Sequence, residues 1–90
     1  MELNNLRKDI DLIDNEILLL LKKRFDVVEK ISIYKKENKI EVVQYGRWQE
    51  LLSLRKNKAS TLCINENMIE EIWELIHKYA ISKEKEIINN

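Results

Sequence analysis

An all-α fold, a three-helix chain of long, short and long helices, is what these 90 residues predict, and three observations carry that reading. The chain has no proline and a single glycine, Gly46, so it offers few places to turn. From Leu3, alternating steps of three and four reach Leu6, Ile10, Ile13, Ile17, Leu20, Arg24, Val27, Ile31 and Tyr34, an apolar helical stripe interrupted once, by a guanidinium. Apolar residues make up 44% of the sequence and charged ones 36%, enough for one core and a well-solvated surface.

Asn4 or Asn5 is placed to cap a first helix from Leu6 to about residue 38. Lys35, Lys36 and Lys39 suit its C-terminal end, where cations offset the dipole. Ile40 to Val43 is short and β-branched and reads as a connector. A second helix is expected from Arg47 to Lys58, with Trp48, Leu51, Leu52 and Arg55 along it, then a loop from Ala59 to Ile64. Asn65 caps a third helix running to about residue 87, with Met68, Ile69, Ile72, Trp73, Leu75, Ile76, Tyr79 and Ala80 as its apolar positions.

A first helix of about 33 residues spans about 50 Å. A compact chain of this length has a diameter of roughly 30 Å. The helix therefore overhangs its own domain with its apolar stripe still running, and an intertwined homodimer is the simplest cover. Formal net charge is zero, from 16 basic and 16 acidic residues, which argues against nucleic acid and against a helix-turn-helix DNA binder. The longest apolar run, Ile17 to Leu21, is too short for a membrane span, the start lacks a signal pattern, and one cysteine, Cys63, fits a cytoplasmic protein. His77 and Cys63 have no partners at ligand or nucleophile spacing and read as ordinary surface, edge or loop residues.

Arg24 is the informative anomaly. A charge in a seam is costly unless paired, so either a bound anion or a buried carboxylate is expected beside it. Lys35 lies eleven residues on, within about 20° of a whole number of turns, and shares its face. Arg7, 17 residues before Arg24, is about 25 Å away and roughly 100° around the helix. If both arginines serve one small ligand, Arg7 comes from a second subunit. On the third helix Glu84 is the carboxylate on the stripe of Trp73, Ile76, Ala80 and Ile87, and pairing with Arg24 or Lys35 inside a bundle is the plain alternative to a ligand.

Arg7, Ile13-Asp14, Lys23-Arg24, the Lys35 region, Val42, and Arg47 followed by Leu51-Leu52 together resemble the all-helical, AroQ-type chorismate mutases over nearly the whole chain. The run Gln44-Tyr45-Gly46-Arg47-Trp48 is similar to mutase domains linked to a heptulosonate-phosphate (DAHP) synthase, which makes such a synthase a possible partner. The resemblance implies an intertwined homodimer that rearranges chorismate to prephenate without metal or cofactor, in aromatic amino acid biosynthesis. It implies that Arg24 grips a substrate carboxylate, that Arg7 comes from the other subunit, that Lys35 donates to the ether oxygen and that Arg47 lines the pocket. Four positions depart from the usual pattern. Trp48 replaces a glutamate that receives the substrate hydroxyl, Gln44 an aspartate, Ala80 a serine that assists carboxylate binding, and Glu84 a glutamine that donates to the ether oxygen. A carboxyl donates only when protonated, so Glu84 predicts turnover that improves toward acid pH. Isochorismate-pyruvate lyases and aminodeoxychorismate mutases share the fold and its cations. A non-catalytic regulatory or dimerisation module of a synthase is the alternative of another class.

Overall fold

The computed structural model describes residues 2–90 and consists of three helices, α1 (Leu3–Asn38), α2 (Tyr45–Thr61) and α3 (Glu66–Ile88). The long-short-long order is as expected, but several boundaries move. Leu3 already belongs to α1, so Asn4 and Asn5 lie inside the helix and the N-cap is Glu2, without a side-chain hydrogen bond. Leu6 N–H bonds to Glu2 O at 3.2 Å, which closes the first turn without help from an asparagine. Ala59, Ser60 and Thr61 continue α2 rather than forming a loop; Ala59 is 3% exposed, and its burial extends the helix past the lysine at 58. Asn65 caps α3 as expected, its side chain accepting from Met68 N–H at 3.0 Å.

With its lone glycine spent elsewhere, the chain ends α1 and α2 on non-glycine residues in the left-handed region, Lys39 (φ 53°) and Cys63 (φ 58°). Ile40 N–H reaches Lys35 O at 2.9 Å and Ile64 N–H reaches Ala59 O at 2.8 Å. These bonds give each end a Schellman-type stop that satisfies carbonyls the helix leaves free. Gly46 has no positive φ, and a Cβ there would meet nothing within 4 Å.

The third helix is the central layer: α1 packs on it and α2 packs on it, but α1 and α2 do not pack on each other. The C-terminal half of α1 runs beside α3 in the same direction. Lys35 pairs with Glu84, Lys83 reaches Glu29 at 4.0 Å, and Lys36 donates to the carbonyls of Ile87 and Asn90. The face of α1 turned to α3 carries buried Val28 and Ser32, one position round from the counted stripe. Ser32 is wholly buried and its hydroxyl bonds back to Val28 O at 2.7 Å, so this small polar residue is satisfied within its own helix.

The stripe itself is not a core within the chain. Leu3, Leu6, Ile10, Ile13, Ile17, Leu20, Val27, Ile31 and Tyr34 are all exposed. The reason is geometric: α1 touches one helix rather than two, so only a narrow face is covered. The longest dimension is 55 Å, close to the length of α1, and the radius of gyration is 16.3 Å. A compact chain of this length would have about 12 Å. The accessible surface of 7453 Å² exceeds by about 1,900 Å² what a compact monomer of 10.9 kDa exposes.

Candidate active site

Because α1 and α2 stand apart on α3, a pocket of about 670 Å³ opens between them, within the usual range for small-molecule sites. α1 supplies Lys23, Arg24, Val27, Ile31 and Lys35; the connector and α2 supply Val42, Gln44, Arg47, Trp48, Leu51 and Arg55; α3 supplies His77, Ala80, Ile81 and Glu84. Every site residue expected from the sequence is here except Arg7. That residue lies in the exposed N-terminal part of α1, outside the pocket of its own chain.

Lys35 is the best-anchored cation. Its Nζ is 3.0 Å from Glu84 Oε1 and donates to Val42 O at 2.8 Å. An ammonium has three donors, so two are engaged and the third is left for the pocket. Glu84 is 5% exposed, and a carboxylate so buried needs a partner. Of the two partners that plain pairing offers it, Arg24 and Lys35, Glu84 takes Lys35. Arg24 has no carboxylate partner among the described residues. Burial, and then the neighbouring Arg55 guanidinium, push the Arg24 pKa below its ordinary value. Two guanidinium groups facing one pocket repel each other until an anion lies between them.

Arg47 sits in the first turn of α2, where a cation opposes the helix dipole. Its side chain is exposed and lies 3.6 Å from Glu50, a surface pair that a ligand could outcompete at little cost. Gln44 is the N-cap of α2 and lines the pocket with an exposed side chain. Ala80, buried at 8% exposure, presents no hydroxyl to a ligand. Trp48 stacks on His77 with ring centroids 4.0 Å apart and planes 17° apart.

Arg55 and His77 were not among the expected site residues. A usable signal existed for both. Trp48, Leu51 and Arg55 follow steps of three and four on one face of α2, and His77 precedes Glu84 by seven, two turns along one face of α3. What hid them was the rotation of α2 and α3 about their own axes, which tertiary packing decides. His77 is half-buried, an edge residue as expected, and from that edge it lines the pocket.

No helix is long and apolar enough to cross a membrane. No curated protein and no solved structure matched the chain. A family model described as chorismate mutase type II matches residues 6–85. The match runs through all three helices and takes in each pocket residue, and the chain therefore belongs to the type II chorismate mutases, an all-helical family of isomerases.

Proposed function

We propose that the protein rearranges chorismate to prephenate in a homodimer whose two pockets each borrow Arg7 from the other subunit. The observation that carries this reading is the cation set around a pocket sized for a small dianion: Arg24 and Arg55 without a carboxylate partner among the described residues, Arg47 held only by a surface pair with Glu50, and Lys35. The substrate has two carboxylates on a flexible frame. Guanidinium groups hold carboxylates in fixed geometry, and here Arg24 with Arg55 grips one of them from opposite walls. Arg47 and the partner subunit's Arg7 take the other. Clamping both ends selects the chair-like conformer in which the reacting carbons approach.

In the reaction one carbon–oxygen bond of the enol ether breaks as one carbon–carbon bond forms, with no atom gained or lost. Negative charge gathers on the ether oxygen in the transition state. The free N–H of Lys35 meets it there, and a donor aimed at developing charge acts mainly on the rate. Glu84 holds Lys35 in place through their 3.0 Å ion pair.

The exposed apolar stripe of α1 supports the dimer. Covering the excess of about 1,900 Å² on each of two chains gives a total in the range of obligate homodimers. The site test is to follow loss of chorismate absorbance with purified protein and to identify the product. Prephenate is expected. Pyruvate with an aromatic acid would assign a lyase, consumption of the amino analogue alone would assign an aminodeoxychorismate mutase, and no turnover near pH 5 or pH 7.5 would leave a regulatory module of a synthase.

A further inference from the structure

Trp48 lines the pocket, and its indole can only donate a hydrogen bond to a substrate hydroxyl. The hydroxyl needs an acceptor. Lys23, Arg24, Lys35, Arg47 and Arg55 are donors without lone pairs to offer. Val42 O is taken by Lys35, and Glu84 is held by the same ammonium at the ether end of the pocket. Seven residues, about 10 Å along α3, separate Glu84 from His77. At the Trp48 end two acceptors line the pocket, the amide oxygen of Gln44 on an exposed side chain and the neutral imidazole of His77, and of the two only His77 is held in place by stacking.

We propose that His77, laid flat on Trp48, accepts the hydrogen bond of the substrate's ring hydroxyl and so sets the enzyme's preference for a hydroxylated substrate. This rests on the mutase reading above. Face-to-face stacking fixes the ring but leaves its nitrogens free, because their hydrogen bonds lie in the ring plane. Among the described residues no hydrogen bond engages either nitrogen. The ring also lines a second pocket, which bears Lys78 and Lys85.

Burial first, and then the cations that face the ring, favour the neutral form of His77. Burial pushes its pKa below the ordinary 6.5, Glu84 on its own helix works in the opposite sense, and Arg24 and Lys35 of α1 again push it down. Arg47 and Arg55 of α2 line the same pocket and add positive charge. Once protonated, imidazolium can only donate, and the hydroxyl loses its acceptor.

The test compares kcat/KM for chorismate and for an analogue lacking the ring hydroxyl, from about pH 5 to about pH 8, a range that spans histidine titration. The parent protein should prefer chorismate by roughly tenfold, the worth of one hydrogen bond, at the alkaline end. That preference should shrink as the pH falls below 6.5. His77→Ala should show no preference at any pH, whereas His77→Gln, which keeps a non-titrating acceptor, should hold it across the range. Gln44→Ala should lower both substrates alike. An unchanged preference in His77→Ala, or one lost in Gln44→Ala instead, would overturn the proposal while leaving the mutase reading intact. If His77→Ala does not fold, a parent preference that ignores pH, or one that still titrates in His77→Gln, overturns it equally. A parent protein that turns over neither substrate sinks the mutase reading and this inference with it.

Discussion

The two halves of α1 share one sequence pattern and have opposite fates. From Leu3 to Leu20 every residue is exposed and no other helix lies alongside. From Leu21 onward the same helix turns Val28 and Ser32 into α3, points Arg24 and Lys35 into a pocket, and anchors the C-terminus of the chain. Steps of three and four say that a face is apolar; they do not say what will cover it. In the C-terminal half the cover is partly α3 and partly the ligand space, and in the N-terminal half it is the second subunit proposed above.

The largest effect that separates the halves should come from a charge in the middle of the uncovered stripe. Ile17→Glu touches nothing in a single chain and, if the chain is monomeric, should shift stability by no more than about 0.5 kcal/mol. Buried unpaired in a dimer, the same carboxylate costs several kcal/mol, so the variant should sediment as a monomer or unfold, with activity gone. An active Ile17→Glu dimer of parental stability would remove the case for this interface.

Next in size is the division of labour between Arg24 and Arg7. Arg24→Ala should lower kcat between about a hundredfold and a thousandfold while the helices and the dimer persist. Arg7→Ala should do likewise, although the residue lies exposed and outside the pocket of its own chain. Refolding the two inactive variants together is the sharper measurement. Half of the dimers would be mixed and half the sites in those intact, so about one quarter of parental activity should return. No recovery would place both arginines in one subunit's site or Arg7 in none.

The sequence made some of this arrangement readable and hid the rest for identifiable reasons. Three helices follow from the apolar spacing and from the scarcity of glycine and proline, and the common face of Arg24 and Lys35 follows from eleven steps of about 100°. The family likeness brought Arg47, Gln44, Trp48, Ala80 and Glu84 to the same place, where all of them line the pocket. The packed face of α1 was misjudged by one residue, because Val28 and Ser32 look no more buried in sequence than Val27 and Ile31. Arg55 and His77 depended on how α2 and α3 roll against each other, a property of the assembled chain.

A smaller effect concerns the packed half alone. Burial holds the His77 pKa below its ordinary 6.5, so kcat/KM for chorismate should stay level near neutral pH and fall toward acid pH as the imidazole stops accepting. Glu84→Gln leaves that imidazole in place, so its profile should keep the acid-side fall. A parental profile flat from about pH 5 to about pH 8 would deny the imidazole a titrating role.

The smallest effects lie at the two ends of α1 and compare the halves once more. The exposed end starts at Glu2 without a side-chain cap, and the packed end stops at Lys39 in the left-handed region. Glu2→Ser supplies a hydroxyl for the free N–H groups and should add about 0.5–1 kcal/mol. Lys39→Gly removes the steric cost of a Cβ at positive φ, on the order of 1 kcal/mol, less what a glycine adds to the entropy of the unfolded chain. Thermal unfolding reads both gains. The cap, however, stabilises only a first turn that is folded to begin with. In the background of Ile17→Glu, where no partner holds the N-terminal half, Glu2→Ser should lose its benefit while Lys39→Gly keeps its own. Equal gains in both backgrounds would mean that the exposed half of α1 is stable alone, and that helix propensity rather than a second subunit holds it straight.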